Sequence, residues 1–90
     1  MEFEWDRKKS QSNKSKHGIA FNDAKRLWKD INRIEIQTSF QDEDRNIMIG
    51  EIDGKLWAAV FTFRSSICRI ISVRRARKKE AILYEKNKDR

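Results

Sequence analysis

The sequence predicts a small α+β domain in which an antiparallel sheet of about four strands packs with two or three helices. Three observations support this fold class. Hydrophobic residues make up 38% of the chain and charged residues 39%, a balance too apolar for a disordered protein. The middle of the chain, residues 33–73, alternates apolar and polar side chains as strands do, and helix-forming segments flank it. With 90 residues, the chain is expected to form one domain, 1–90.

The first third of the chain predicts a short strand or extended lead-in, followed by two helices. Residues 3–5 form this strand or lead-in. Asp6 is a suitable N-cap for a polar helix that runs to about Lys16, because its carboxylate can accept the backbone N–H groups that follow. Gly18 then provides a left-handed stop. A second helix is expected over residues 22–28, where apolar residues recur at helical spacing.

The middle of the chain predicts the sheet. Strands are expected at residues 33–40, 45–52, 56–63 and 67–73. The third of them is apolar on both faces, as a central strand should be. Asp53-Gly54 predicts a tight hairpin, because both residues tolerate a positive φ. An acidic loop at 41–44 and a turn at Ser65-Ser66 separate the other strands.

The last helix is predicted from Arg74 to about Lys86, with Ala76, Leu83 and Tyr84 facing inward. Glu80 falls on the same stripe, and a carboxylate in that position is costly unless it is paired. Arg69, which alternates with apolar residues on the preceding strand, is its natural partner. An arginine at the start of a helix, as expected for Arg74, opposes the helix dipole and so mildly favours a functional role.

The positive charge of the chain is concentrated in its second half. The net charge is +7, of which residues 46–90 contribute +6. The span from Arg64 to Lys79 contains seven basic residues and no acidic residue. Such a concentration of charge attracts phosphate groups or an acidic protein.

Composition also excludes several classes of protein. The single cysteine, Cys68, cannot form an intramolecular disulfide, which fits a reducing compartment. No signal peptide and no apolar run of about 20 residues is apparent, so a cytoplasmic protein without membrane contact is expected. One histidine and one cysteine cannot build a zinc site, and no phosphate-binding glycine motif is present. We therefore expect no metal and no cofactor.

Three stretches of the sequence share their order and spacing with one known family. The first is Phe3-Glu4-Trp5-Asp6, then Lys9, Asn13, Lys16-His17-Gly18-Ile19, Phe21 and Ala24. The second consists of Arg45, Gly50, Gly54 and Arg64. The third is Arg69-Ile70-Ile71-Ser72-Val73-Arg74, then Ala76, Glu80 and Tyr84. With these stretches the chain resembles the BrnT toxin family nearly from end to end, although Arg7, Lys8 and Ala81 depart from the usual pattern.

The resemblance implies both a fold and a function. The fold would be RelE-like. The protein would be the toxin of a type II toxin–antitoxin system, an enzyme that cleaves RNA and stops translation. Its partner would be a BrnA-like antitoxin with a DNA-binding segment, and the complex of the two would bind its own operator DNA.

Cleavage of RNA needs no metal. The 2′-hydroxyl attacks the adjacent phosphorus, a base takes its proton, an acid protonates the leaving oxygen, and cations stabilise the developing charge. Arg64, Arg69 and Arg74 are the candidates for phosphate contacts, because the guanidinium group binds phosphate oxygens bidentately. His17 is either the acid or base or a residue that caps the first helix. Glu80 is either the general base or a group that orients Arg69 or Arg74.

Three further residues are candidates for binding RNA: Lys16, Arg75 and Tyr84. For each a plain alternative stays open. Lys16 and Arg75 can be ordinary surface charges, and Tyr84 can belong to the core. For the whole chain, a basic RNA- or DNA-binding module without catalysis, or a surface that only docks an acidic partner, explains the charge equally well.

Overall fold

Within residues 1–40 and 43–89, which the computed structural model describes, the chain forms a five-stranded sheet and three α-helices. The strands are β1 (Phe3–Glu4), β2 (Ile34–Phe40), β3 (Glu43–Ile52), β4 (Lys55–Arg64) and β5 (Ile67–Arg75). The helices are α1 (Arg7–His17), α2 (Phe21–Ala24), which continues as a 3₁₀ helix over Lys25–Lys29, and α3 (Lys78–Lys88). The predicted α+β class is confirmed.

The sheet differs from the prediction in one respect. Its strand order is β1-β5-β4-β3-β2, and β1 pairs with β5 in parallel, while the other pairs are antiparallel. The expected antiparallel sheet of about four strands is therefore a mixed sheet. The strand alternative for residues 3–5 is confirmed, but its parallel pairing with β5 was not predicted, because a two-residue strand has no measurable alternation that could reveal its partner.

The two faces of the sheet are covered unequally. On one face, α2 and the 3₁₀ helix bury the main core, which includes Phe21, Leu27 and Phe61. Trp28 packs edge-on against both Phe3 of β1 and Phe61 of β4, and so connects β1 to this core. The opposite face carries a smaller core, in which Tyr84 of α3 packs with the strand residues Ile49 and Ala58. We call the first the helical face and the second the arginine face, for the side chains described below.

Hydrogen bonds rather than an apolar stripe hold α1 in place. Asp6 caps it as predicted, accepting from the backbone N–H groups of Lys8 and Lys9, and Gly18 ends it with a φ of 82°. Asn13 is buried and bonds twice. Its Nδ2 donates to the Ile19 carbonyl at 2.8 Å, and its Oδ1 accepts from the Val73 N–H of β5 at 3.1 Å. A helix with almost no apolar residues is thereby attached to the sheet edge.

Several predicted boundaries are wrong. The second helix begins at Phe21 rather than residue 22 and becomes 3₁₀ after Ala24. The strand β3 begins at Glu43, so part of the expected acidic loop is strand, while residues 41 and 42 lie outside the described residues. The hairpin prediction is confirmed, since Asp53 and Gly54 both have positive φ.

The largest change concerns the last helix. The strand β5 extends to Arg75 and α3 begins at Lys78, so Arg74 is a strand residue and not the first residue of a helix. Arg74 therefore does not oppose a helix dipole, and the reason that its expected helical position gave for a functional role is wrong. Leu83, expected to face inward, is 47% exposed, whereas Tyr84 is buried as predicted.

Candidate nucleic-acid interface

Three of the predicted arginines lie on one face of the sheet. Arg69 pairs with Thr62 of β4, Arg74 pairs with Ala58, and Arg64 pairs with Ile67. Because side chains two residues apart on a strand share a face, the β4 residues 58, 62 and 64 place all three arginines on the same side. Arg45 of β3 belongs to this side too, by the same alternation from its neighbour Ile47.

A bulge in β5 is what brings Arg69 and Arg74 together. They are five positions apart in the sequence, an odd number, so in a regular strand they would point to opposite faces. Between Val60 and Phe61 of β4 the register shifts, because Ser72 pairs with Val60 while Ile70 pairs with Phe61. One extra residue of β5 is accommodated there, and the alternation reverses. The regular alternation expected for residues 67–73 is therefore wrong, and the sequence carries no glycine or proline in this strand to signal the irregularity.

Arg74 forms an enclosed ion pair with Glu80. Two parallel hydrogen bonds join the groups, Nη1 to Oε1 at 2.7 Å and Nη2 to Oε2 at 2.9 Å. The side chains are 21% and 12% exposed. Oε1 also accepts from the Arg77 backbone N–H at 2.7 Å, at the start of α3. The hydrogen bonds from Arg74 outweigh the effect of burial and hold the pKa of Glu80 below its usual value.

Of the two arginines expected to pair with Glu80, the structure therefore confirms Arg74, and the pairing with Arg69 is wrong. Arg69 pairs instead with Glu4 of β1, its Nη1 donating to Oε2 at 2.7 Å. The parallel register of β1 and β5 sets Glu4 directly beside Arg69 and so explains the contact. The sequence did not indicate Glu4 as a site residue, because it lies 65 positions from Arg69 and no local pattern links the two.

Arg64 is the most open of the three arginines. It is exposed at the end of β4, and within residues 1–40 and 43–89 it has no hydrogen-bond or ion-pair partner. Between Arg64 and the region covered by α3, half-buried residues of the sheet form the surface: Ile36, Ile47, Val60 and Ser72. The arginine face thus combines apolar sheet residues with guanidinium groups, of which Arg64 is available without breaking an existing contact.

His17 and Lys16 lie away from this face. Both are exposed at the C-terminal end of α1, and the adjacent Gly18 lines a surface pocket with Trp57. Arg64 is seven residues further along β4 than Trp57, roughly 23 Å at the usual rise of a strand. The structure therefore does not bring His17 together with Arg64.

The other two candidates for RNA contact are engaged within the protein. Arg75 faces the helical side, where its guanidinium lies 5.5 Å from the centre of the Trp57 ring and Nε donates to the Leu56 carbonyl. Tyr84 is 1% exposed, and its hydroxyl donates to Asp30 Oδ2 at 2.7 Å. Burial and the neighbouring carboxylate raise the pKa of Tyr84. Stacking of a base on this ring is incompatible with its burial, so the core alternative describes Tyr84.

Asp30 joins three parts of the fold. Besides the Tyr84 hydroxyl, it accepts the backbone N–H groups of Glu51 and Asn32, each at 2.8 Å. Burial alone would raise the pKa of Asp30, but these hydrogen bonds together lower it. The carboxylate therefore ties the end of the 3₁₀ helix to β3 and to α3, and through α3 it supports the position of Glu80.

A second group of cations lies on the helical face. Lys25, Lys29 and Arg33 line a surface groove of about 480 Å³ whose lining also includes Phe3 and Trp28. Because the sheet separates this groove from the arginine face, its lysines are suited to serve as charge-matched controls.

The described residues offer neither a metal-binding cluster nor a helix that could span a membrane. Among the described ranges, 1–40 and 43–89, no three His, Cys, Asp or Glu side chains gather as a metal site would require. No helix in that part of the chain has the length and apolar character needed to cross a membrane.

Comparison with known proteins identifies the family. The family model described as "Ribonuclease toxin, BrnT, of type II toxin-antitoxin system" matches residues 5–80. No curated protein matches the chain. The matched residues span most of the sequence and include β2 to β5, with Arg64, Arg69, Arg74 and Glu80. The chain belongs to the BrnT family of ribonuclease toxins of type II toxin–antitoxin systems.

Proposed function

We propose that this protein is a metal-independent endoribonuclease that binds RNA on the arginine face and cuts it by attack of a 2′-hydroxyl. The observation that carries the proposal is the gathering of Arg64, Arg69 and Arg74 on one face, which depends on the bulge in β5. A strand irregularity that turns a charged side chain onto a shared face is typical of functional sites.

The cleavage reaction requires cations that contact the phosphate and groups that accept and donate protons. Guanidinium groups supply the cations, since they bind phosphate oxygens through two N–H donors and stay charged at every working pH. Within residues 1–40 and 43–89, Arg64 makes no hydrogen bond, and Arg69 uses one nitrogen, which donates to Glu4. Arg74 is held by Glu80, so its contribution to binding is more indirect.

Membership of the family supports finer proposals about the partners and the setting of the toxin. We propose that a BrnA-like antitoxin neutralises the toxin by covering the arginine face and competing with RNA for it. The complex would bind its own operator DNA, and the free toxin would stop translation in the cytoplasm. A RelE-like fold built by residues 1–90 as one domain stays a prediction.

End-labelled RNA incubated with the purified protein in EDTA tests the chemistry. The expected products end in a 2′,3′-cyclic phosphate and begin with a 5′-hydroxyl, because an internal hydroxyl is the nucleophile. The antitoxin added in equal amount should abolish cleavage. RNA that stays intact both alone and on ribosomes, while still binding in a salt-dependent way, would support the non-catalytic binding module instead.

Expression of the toxin without its antitoxin tests the residues. The variants Arg64→Ala and Arg69→Ala should relieve growth arrest, because each removes a cation from the proposed phosphate path. Lys29→Ala, on the helical face, should leave growth arrest intact and serves as the matched control. Growth arrest that persists in both arginine variants at equal protein levels would refute the assignment of this face.

A further inference from the structure

We infer that Glu4 is the general base that accepts the 2′-hydroxyl proton, an inference that rests on the ribonuclease mechanism proposed above. The residue lies outside the part of the chain that the family model matches. Four features of the structure support the assignment: its place on the arginine face, its exposure, its open oxygen and its contact with Arg69.

Glu4 reaches the arginine face through the pairing of β1. In parallel register with β5, Glu4 lies beside Arg69 and Phe3 beside Cys68. Phe3 points to the helical face, where it packs against Trp28, so Glu4 points to the opposite face. The short strand is fastened independently of Glu4, because the Cys68 N–H also donates to the Glu2 carbonyl at 2.9 Å. A carboxylate is thereby placed on the same surface as the arginines.

Glu4 has an oxygen available for a proton. Its side chain is 34% exposed, and Oε2 accepts from Arg69. Oε1 has no hydrogen-bond partner in the described part of the chain. General base catalysis requires an acceptor within hydrogen-bond reach of the substrate hydroxyl, and no hydrogen bond from the described residues occupies this oxygen.

Glu80, for which the sequence left open the roles of general base and of partner to an arginine, lacks such an oxygen. Both of its oxygens accept from Arg74, and Oε1 accepts from the Arg77 N–H as well. Its side chain is 12% exposed. The group therefore has little capacity for a new hydrogen bond and little access to substrate, and it acts as a positioning residue for Arg74 and α3.

Arg69 can hold the phosphate beside this base. Its Nη1 donates to Glu4, whereas Nη2 and Nε make no hydrogen bond within residues 1–40 and 43–89. A phosphate bound by those two donors would lie next to the Glu4 carboxylate, bridged by one planar guanidinium. The 2′-hydroxyl is attached one carbon from the 3′-phosphate, so the same arrangement brings the hydroxyl toward Oε1.

The proton and electron balance of the step is simple. Oε1 of Glu4 takes the 2′-hydroxyl proton as the 2′-oxygen bonds to phosphorus. The bond from phosphorus to the 5′-oxygen breaks, and its electron pair remains on the 5′-oxygen, which takes a proton from water. Glu4 then releases its proton to the solvent. Arg69 stays protonated throughout and stabilises the charge on the non-bridging oxygens.

Glu4→Gln tests the inference, because glutamine keeps an oxygen for Arg69 but cannot accept the proton at neutral pH. Cleavage of a labelled RNA should slow by about 100-fold or more. Binding of the same RNA carrying 2′-O-methyl groups should stay within about threefold of wild type, since the arginines remain. The control Glu35→Gln removes an equal charge from the other side of the sheet, where Glu35 pairs with Met48, and should leave cleavage unchanged.

A pH profile separates proton transfer from a merely structural role. The wild-type rate should fall as the pH is lowered, because a general base acts only in its deprotonated form. Glu4→Gln should lose that dependence, and Glu4→Asp should recover part of the rate with the dependence restored. If Glu4→Gln folds poorly, Glu4→Asp still tests the inference, because it keeps a carboxylate at this position on β1 and its profile can be compared with that of the wild-type protein.

Two results would overturn the inference while leaving the proposed ribonuclease function standing. One is a folded Glu4→Gln variant that cleaves within about tenfold of wild type. The other is a wild-type rate that does not change across the acidic range. Wild-type protein that cleaves no RNA under any condition would instead refute the proposed function, and the inference with it.

Discussion

Arg74 and Glu80 show how one pair of residues can serve both stability and the candidate site. The bidentate contact occupies both carboxylate oxygens and links the end of β5 to the first turn of α3. Removing one partner of such an enclosed ion pair strongly destabilises the fold, because the remaining partner keeps its charge without compensation. Arg74 therefore has a role in the fold whatever its contact with RNA.

Glu80→Gln should lower the free energy of unfolding at pH 7 by about 2 kcal/mol, because the Arg74 guanidinium keeps its charge but then faces a neutral amide in place of a carboxylate. The folded-state pKa of Glu80 lies below the ordinary 4.5, so its stabilisation is complete above that value and is lost as the pH falls through the folded-state pKa. Urea denaturation at pH 7 and at pH 3 should show the difference between variant and wild type shrinking at the lower pH.

The exposed neighbour on the same helix provides the control for this experiment. Glu85→Gln should change the free energy of unfolding by no more than about 0.5 kcal/mol at either pH. If Glu80→Gln gave the same destabilisation at both pH values, the stabilisation would not come from the ionised carboxylate.

At the scale of the element, the positions of α1 and of the bulged strand β5 depend on contacts that the spacing of apolar residues in the sequence does not predict. The helix α1 is attached to the sheet edge by Asn13, whose amide satisfies one carbonyl and one strand N–H, and by Ser10, which accepts from the Phe21 N–H at 3.0 Å. Polar side chains can dock a helix in this way because unpaired backbone groups at an edge need partners.

Asn13→Ala should lower the free energy of unfolding by about 2–3 kcal/mol, since it leaves a buried N–H and a buried carbonyl unpaired. Chemical denaturation followed by far-ultraviolet circular dichroism would measure it. Ser12→Ala, one residue earlier on the exposed side of α1, should cost less than about 0.5 kcal/mol. Equal effects of the two substitutions would show that Asn13 is not the attachment of α1.

The elements that sequence could predict are those with a local cause. The Asp6 cap, the Gly18 stop and the Asp53-Gly54 hairpin each follow from the conformation that one or two residues favour, and the structure confirms all three. Other features depend on residues far apart in the chain: the pairing of β1 with β5, the bulge near Ile71 and the Glu4–Arg69 pair. No pattern within a window of ten residues contains them.

The candidate site divides in the same way. The basic span suggested Arg64, Arg69 and Arg74, and their shared face depends on tertiary pairing that the sequence did not reveal. The sequence left open whether Tyr84 belongs to the core or contacts RNA, and its burial places it in the core. The roles assigned to His17, Lys16 and Arg75 stay predictions, and all three lie away from the arginine face.

At the scale of the whole molecule, the sheet separates two cationic surfaces of different character. The helical face presents lysines around a groove, while the arginine face presents guanidinium groups with Glu4 and Glu80 among them. The excess of positive charge attracts RNA to the protein from any direction. Specific binding and cleavage, by contrast, should depend on one face alone.

Salt dependence should reveal that difference. The affinity for 2′-O-methyl RNA should fall as salt rises, through release of counterions from the strand. Arg64→Ala should reduce the slope of log affinity against log salt by about 0.7, the value for one lost contact to a single strand. Lys29→Ala should leave the slope unchanged. An equal loss of slope in both variants would mean that the RNA does not distinguish the two faces.

The most direct test of the central claim compares cleavage by two double variants of equal net charge. Arg64→Ala/Arg69→Ala removes two cations from the arginine face, and Lys25→Ala/Lys29→Ala removes two from the helical face. With folding verified by circular dichroism, the first should cleave RNA at least about 100-fold more slowly than wild type, and the second within about fivefold. Similar losses in both, or a larger loss in the lysine variant, would contradict the assignment of RNA cleavage to the arginine face.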